Sequence, residues 1–434
     1  MSSEWPLVRL EEITSVLGDG LHGTPIYDDG GDYHFINGNN LLEGRIVINE
    51  KTKRVTEAEA HKHRKNLNER TILVSINGTL GNIAFYCGER VILGKSACYF
   101  NVDTGVDKHF VRYVLQSDTF QNYIHNLATG STIKNVSLRL MRDFSFQLPP
   151  FEVQERISAT LKALDDRIAL LRETNAMLEG IAQALFKSWF VDFDPVHART
   201  RGEQPAGLAP EVAALFPDSF EESELGMIPK GWSIGRISDL GDVVCGKTPP
   251  TSEPDNYGGD VPFITIPDMH RHLVVTSTTR ALSKKGADSQ PKKYLPVGSI
   301  CVSCIATPGL VVQVTEPSHT NQQINSVIPQ PKWGRSFPLF LLRRIGDKVH
   351  AGGSGGSVFH NLSKSGFEKI PELLPTTKLA QEYCQIVDPL VDKITDNQRY
   401  AQTLATLRDT LLPRLISGQL RLPEAEAMVR EVQE

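Results

Sequence analysis

Apolar residues recur in steps of four and three along one stretch of the chain: Ile157, Leu161, Leu164, Ile168, Leu171, Leu178, Ala182, Leu185 and Trp189, with Asn175 in the same series. This alternation is the seam of a coiled coil, sustained over more than four heptads. Adding 226 to each number gives Tyr383, Val387, Leu390, Ile394, Asn397, Ala401, Leu404, Arg408, Leu411 and Leu415, the same comb in a second stretch. A polar residue on such a seam usually sets register at some cost in stability. If the two helices run antiparallel, with 161–189 facing 387–415, Asn175 falls opposite roughly residue 399 and within reach of Asn397. At 1.5 Å per residue, each helix is a rod of about 60 Å.

The duplication extends beyond the helices. Trp5-Pro-Leu-Val-Arg-Leu and Trp232-Ser-Ile-Gly-Arg-Ile open the two halves, and Phe35-Ile-Asn-Gly-Asn-Asn-Leu answers Phe263-Ile-Thr-Ile-Pro-Asp-Met. Leu67, Ser75 and Gly81 fall on Leu295, Ser303 and Gly309 at one offset. Such coherent register marks an internal repeat. Within each half the β-branched runs Thr71-Ile-Leu-Val-Ser-Ile and Ser299-Ile-Cys-Val-Ser-Cys-Ile predict short strands, followed by second strands near 83–86 and 311–314. Thr56, Ser283, Ser137 and Ser363 are placed to cap short helices, and 110–126 predicts a longer one with its counterpart at 337–349.

The expected architecture is therefore α+β with an internal pseudo-twofold repeat. Two tandem α/β domains of mostly short strands occupy 1–150 and 231–375. Two long antiparallel coiled-coil helices, 151–190 and 376–420, separate them. Residues 191–230, rich in Pro, Gly and Glu, read as a linker with one short helix near 211–216, and 421–434 as a loosely ordered tail.

Composition narrows the function. No run approaches the ~18 apolar residues of a membrane span, and the N-terminus shows no signal-peptide pattern. Six scattered cysteines lack a disulfide framework, so a reducing cytoplasm is expected. The net charge of −5 does not announce a nucleic-acid binder, but its distribution is uneven. Residues 45–65 carry seven Lys/Arg against three Glu, and 271–293 carry six against Asp288. Local basic faces on a mildly acidic chain suggest DNA contact within a larger assembly.

Chemistry-bearing motifs are sparse. The loops 75–81 and 303–309 follow strands in both halves; their glycines and small polar side chains suit either close approach to DNA or a tight hairpin. Gly130-Ser-Thr and 352–357 resemble phosphate-cradling loops but lack the lysine and hydroxyl of a nucleotide-binding motif. Cys301-Val-Ser-Cys304 has zinc-like spacing, yet in a strand residues three apart point to opposite faces, so no metal site is expected. Asp192-Phe-Asp-Pro195 is too isolated to be a methyltransferase motif, and no nucleophile–base pair stands out. The chain reads as non-catalytic.

The quoted segments resemble the specificity subunits of type I restriction–modification enzymes, over nearly the whole chain. The strongest points are Gly18-Asp-Gly-Leu-His-Gly-Thr-Pro25 with Phe35-Ile-Asn-Gly-Asn-Asn-Leu, and Gly246-Lys-Thr-Pro with Tyr257-Gly-Gly-Asp-Val-Pro-Phe263. Three more are Phe186-Lys-Ser-Trp-Phe-Val-Asp-Phe-Asp-Pro195, Leu225-Gly-Met-Ile-Pro-Lys-Gly-Trp232 and Leu411-Leu-Pro-Arg-Leu-Ile-Ser-Gly-Gln-Leu.

The resemblance implies two target recognition domains, each reading half of a split, asymmetric site on double-stranded DNA. The helices would act as a ruler and dock two modification (methyltransferase) subunits and, where present, two restriction subunits with translocase and nuclease activity. No cofactor is expected on this chain; S-adenosylmethionine would come with the modification subunits, and ATP and Mg with the restriction subunits. A non-catalytic DNA-bridging scaffold or regulator with the same ruler is the alternative. Base-reading candidates are His22, Thr24, Asn37, Asn39, Asn40, Asn77, Thr79 and Lys134 in the first domain. In the second they are Lys247, Thr248, Thr265, Asp268, Arg271, Thr307 and Ser357. Lys62, Arg64, Lys65, Lys284, Lys285, Lys292 and Lys293 are candidate phosphate contacts, which position without specifying.

Overall fold

In a computed structural model of the chain, the first comb is one helix, Phe151–Phe190, here called the central helix, and the second is Thr377–Ile416, the distal helix. The structure describes residues 5–433 except 43, 131–133, 225, 306 and 352–361, and only the backbone of 347–351 and 433. The 352–357 loop, with Ser357, and most of the Gly130-Ser-Thr loop lie outside the described residues. The chain divides into two compact units, Met1–Ile168 with Gln402–Glu434, and Ala169–Ala401. Each unit thus holds one globular half plus a segment of both long helices.

The helices pair along the seam. Ile157, Leu161, Leu164 and Ile168 are buried in the first unit, as are Leu404, Leu411 and Leu415. In the second, Asn397 Nδ2 donates to Asn175 Oδ1 at 2.9 Å, and Asn175 Nδ2 donates to the Ile394 carbonyl at 3.1 Å. Tyr383 donates its hydroxyl to the Ala182 carbonyl at 3.0 Å. Partner numbers rise on one helix as they fall on the other, so the pairing is antiparallel. Around Tyr383 the rings of Phe186, Trp189, Phe190 and Phe340 meet at centroid distances of 5.3–6.3 Å, in the range where tilted aromatic pairs attract.

Both globular halves use one plan. The first has a four-stranded sheet in the order Thr14–Asp19, Ala97–Val102, Thr71–Ser75, Ile83–Phe85. The second repeats it as Gly241–Cys245, Ile324–Pro329, Ile300–Ser303, Val311–Val314, with Val274–Val275 added at the edge. In each half a further small sheet contains a parallel pair, Tyr33–Ile36 with Val91–Leu93 and Tyr257–Ile264 with His319–Thr320. The opening strands return to the closing ones, Leu7–Arg9 to Ser145–Gln147 and Ser233–Arg236 to Pro371–Leu374. Thr56, Ser137, Ser283 and Ser363 each accept a hydrogen bond from the amide three residues on, as the capping pattern predicts.

Three expectations are corrected. The helix expected over 110–126 is two, Lys108–Gln116 and Asp118–Leu127, because Ser117 is extended (φ −65°, ψ 151°) and its hydroxyl bonds back to the Val114 carbonyl. The 191–230 segment is more than a linker: it holds the helices Asp194–Thr200 and Pro210–Ala213 and a hairpin of Phe220–Ser223 with Gly226–Pro229. It is fastened because Val196 and Phe216 are buried in the core of the second unit. The tail forms a helix, Leu422–Gln433, whose Leu422, Ala425 and Val429 make a buried stripe at helical spacing. Arg156 and Glu426 pair across it at 2.9 Å. Among the described residues no helix is long and apolar enough to cross a membrane.

Two charged or polar groups sit where burial makes them consequential. Asp165 on the central helix accepts from Arg112 (2.6 Å) and Tyr113 (2.7 Å) of the first globular half, and from Arg408 of the distal helix (2.6 Å). One carboxylate thus holds two guanidiniums, all about a fifth to a third exposed. Removing it leaves Arg112 without a carboxylate and Arg408 with Asp409 alone, at 2.7 Å, so Asp165→Ala should cost about 1.5–3 kcal/mol, read as a lowered urea midpoint.

His319 is fully buried, neither ring nitrogen has a hydrogen-bond partner, and its ring stands edge-on to Tyr294 at 4.3 Å. Burial lowers its pKa from 6.5 to about 4, against a weaker opposing pull from Asp288. The unfolded chain therefore takes up a proton near pH 6.5 that the native ring refuses until about pH 4. Stability from this residue is intact above pH 6.5 and falls by about 3 kcal/mol as pH drops through that window. His319→Ile should flatten the pH dependence of the second unit's unfolding between pH 7 and 4.5; an unchanged slope would refute the assignment.

Candidate nucleic-acid interface

The first domain gathers its polar loops around an open cleft of about 410 Å³, lined by Asp19, His22, Asn77, Lys95, Asn135 and Ser137 among others. Strand Thr14–Asp19 delivers Asp19 to its rim, and the chain then crosses the end of Val91–Leu93. The crossing requires Gly20, since a Cβ there would lie 2.1 Å from the Leu93 carbonyl oxygen. Leu21 N–H donates to that carbonyl at 2.7 Å, which sets His22 just beyond, exposed, with Nε2 2.6 Å from Asp19 Oδ2. Across the cleft Asn77 Nδ2 donates to Asn135 Oδ1 at 3.1 Å, and the Lys134 carbonyl accepts from Gly78 N–H at 3.1 Å.

Of the sequence candidates, His22, Asn77 and Lys134 come together here, while Thr24 and Thr79 stay exposed on the neighbouring loops. Asp19, Lys95 and Asn135 were missed; they join the cleft only because segments 40–116 residues apart in sequence converge, and Lys95 is a single charge in an otherwise uncharged strand-to-strand turn.

Other candidates spend their side chains internally. Asn40 accepts from Asn37 N–H at 3.0 Å and donates to the Val47 carbonyl at 3.0 Å, while Asn37 Oδ1 accepts from Ser96 at 2.9 Å. Asn39 alone of the three is exposed. Asp268 receives hydrogen bonds from the backbone and hydroxyl of both Thr265 and Thr279, at 2.7–2.8 Å. Burial alone would raise this carboxyl, but those four bonds outweigh it and hold its pKa below the ordinary value. These geometries describe loop braces, with Thr265 and Asp268 closing a turn on each other.

Both Ser-to-Gly loops are tight turns built alike. Ser75 Oγ accepts from Asn82 N–H and Ser303 Oγ from Leu310 N–H, each at 2.8 Å, and Gly81 and Gly309 adopt positive φ (81° and 94°). Their glycines serve inward packing: a Cβ on Gly81 would meet Gln121 at 2.1 Å, and one on Gly309 the Gly346 backbone at 2.9 Å. Thr307 lies in the second loop, half-buried, its carbonyl accepting from Ser303 Oγ at 2.6 Å.

In the second domain Lys247 is exposed, and Thr248 Oγ1 donates to Gln322 Oε1 at 2.7 Å. Arg271 is exposed with φ of 62°, a left-handed backbone uncommon outside glycine.

The basic residues divide in two. Lys62 bonds Glu59 at 2.8 Å, and with Ile26 N–H it holds that carboxyl down at about 2. Lys285 reaches Asp255 at 3.4 Å, and Lys293 donates to the Cys245 carbonyl at 2.9 Å. Arg64, Lys284 and Lys292 are exposed, and Lys65 is half-buried. Cys301 and Cys304 are buried thiols; Ser326 donates to the Cys301 sulfur and Asn325 to the Cys304 sulfur, and burial pushes the Cys301 thiol up to about 12. Among the described residues no three His, Cys, Asp or Glu side chains cluster as a metal site.

Comparison with known proteins places this arrangement. A family model described as the type I restriction modification DNA specificity domain matches residues 2–180 and again 229–404, one match per half. The type I restriction enzyme HindI specificity subunit of Haemophilus influenzae is 37% identical over 353 residues, covering 72% of this chain and 77% of that protein. The MjaIX specificity subunit of Methanocaldococcus jannaschii is 24% identical over 433 residues, 97% of this chain and 94% of that one. Among solved structures, a type I restriction–modification S subunit from M. genitalium superposes with a TM-score of 0.56 at 16% identity, over 95% of this chain and 96% of its own, a likeness of fold. The two matched repeats and the curated relatives show that this chain belongs to the specificity subunits of type I restriction–modification enzymes.

Proposed function

We propose that this chain reads a bipartite, asymmetric site on double-stranded DNA, one short word per globular half, with the paired helices setting the gap. The observation that carries this is the pair of halves built on one backbone plan with different loop side chains. A duplex presents distinguishable donor and acceptor patterns where side chains reach base edges, chiefly in the major groove. Two different readers on one frame then call for two different words, and fixed spacing is what such geometry demands of half-sites. The chain itself would catalyse nothing.

The helices would also dock the modification subunits. Leu170, Met177 and Ile181 on the central helix are 49–62% exposed and fall on one side of it, seven and four residues apart. An apolar stripe left in water beside an already buried seam suits a protein partner. S-adenosylmethionine would arrive with those modification subunits, two per chain, and ATP and Mg with restriction subunits where the assembly includes them.

Single-molecule methylome sequencing of a host expressing this chain with its modification partner tests the reading. Methylation at one split asymmetric motif, lost on deleting the chain, is the expected result, and exchanging residues 1–150 for another domain should change one word alone. DNA binding without any chain-dependent methylation would instead favour a bridging scaffold. The exposed lysines have their own test: Lys284→Ala with Lys292→Ala should weaken binding alike on all sequences and reduce the salt slope by about one per lysine. A change of sequence preference would show that they read bases.

A further inference from the structure

The two halves share backbone hydrogen bonds residue for residue around the cleft. Leu21 N–H donates to the Leu93 carbonyl at 2.7 Å, and Lys247 N–H to the Thr320 carbonyl at 2.9 Å. Ile76 N–H donates to Ser96 and Cys304 N–H to Gln323, both at 2.9 Å. Gly20 and Gly246 stand at the same crossing; a Cβ on Gly20 would lie 2.1 Å from the Leu93 carbonyl oxygen, and one on Gly246 2.5 Å from that of Thr320 and 2.1 Å from that of Asn321 just beyond. These matches make Lys95 and Gln322 equivalent, each two residues beyond its parallel strand. They likewise make His22 equivalent to Thr248, and Asp19 to Cys245. The backbone is held in common, and the chemistry it displays is not.

Lys95 is exposed at the rim of the first cleft, a compact charge with three donors and no acceptor. Beside it His22 is oriented by Asp19 rather than by the lysine. Gln322, equally exposed, is held differently. Thr248 donates to one lone pair of its amide oxygen, which fixes the amide plane and leaves a second lone pair and both N–H groups available. In the major groove a guanine edge offers two acceptors, O6 and N7, which a lysine matches. An adenine edge offers one acceptor and one donor, N7 and N6, which a glutamine amide matches in a bidentate pair.

We propose that Lys95 and Gln322 are equivalent base-reading residues: Lys95 specifies guanine in the word read by the first domain, and Gln322 specifies adenine in the word read by the second. His22–Asp19 and Thr248 act beside them as positioning residues. This rests on the DNA-reading function proposed above.

The test uses the full chain with its modification subunits and reads the methylated motif of each variant; exchange of residues 1–150 identifies which word belongs to the first domain. Lys95→Gln should replace one guanine in that word by adenine, or admit both, with a shift in preference of roughly 5- to 150-fold at that position. The second word and the gap should stay as they are. Gln322→Lys should do the converse to one adenine of the second word. Lys95→Arg, which keeps bidentate donors for guanine, should leave both words unchanged, so a folding defect in the glutamine variant is told apart from a change in reading.

Methylation that slows uniformly on an unaltered motif in both Lys95→Gln and Gln322→Lys overturns the proposal, since the two residues would then only position. So does a first word that contains no guanine. If the unaltered chain directs no split motif at all, the DNA-reading function itself falls.

Discussion

The structure depends on an apolar seam that neither repeat can bury alone. A forty-residue amphipathic helix leaves its stripe in water unless a second stripe covers it. Here the cover for each helix is the helix of the other repeat, read in the opposite direction. Asn175 and Asn397 answer each other inside that seam, and each loses its pairing if the helices slide by a turn. Leucine at both positions would bury more apolar surface, but it would remove a polar contact inside the seam that distinguishes this register from its neighbours.

The globular halves are fastened to the seam by contacts of different kinds. In the first unit one carboxylate, Asp165, gathers Arg112, Tyr113 and Arg408. In the second the fastening is largely aromatic, with Phe337 and Phe340 of the globular half against Phe186, and Trp232 and Phe337 against Phe190. Arg335 adds charge there, reaching Asp388 and Asp392 on the distal helix at 3.4 and 2.9 Å. The same mechanical task is met by charge in one repeat and by packing in the other. Duplicated domains are free to diverge in this way as long as the backbone frame holds.

That frame lets the rim side chains differ between the two halves without disturbing the fold. Apart from the Asn77–Asn135 pair and His22–Asp19, the hydrogen bonds described around the loops run between backbone groups or through inward-facing Ser75 and Ser303, so Lys95 and Gln322 carry no structural duty of comparable weight. Lys95, Gln322, His22 and Thr248 can change identity while strands and turns stay in place. Where a polar loop residue does carry structure, as Asn40 and Asp268 do, its donors and acceptors are already occupied.

The long periodic elements were legible from the residues alone. A comb of more than four heptads has one low-energy reading, and its repetition at a constant offset declared the duplication; the antiparallel pairing, expected from the sequence, is fixed by the contacts across the seam. The capping serines and Thr56 were legible for the same local reason: the hydroxyl satisfies an amide three residues away and needs nothing distant. Short elements were not. The 191–230 segment and the 422–433 helix have too few residues to hold shape by themselves, and it is burial of Val196, Phe216, Ala425 and Val429 that orders them. The cleft was half legible, because His22, Asn77 and Lys134 look like loop polar residues. Asp19, Lys95 and Asn135 become neighbours only when three separated segments close on one another. The sequence by itself determined the repeat, the helices and the family; tertiary structure decided which polar side chains face outward, because loop geometry depends on contacts between residues far apart in the chain.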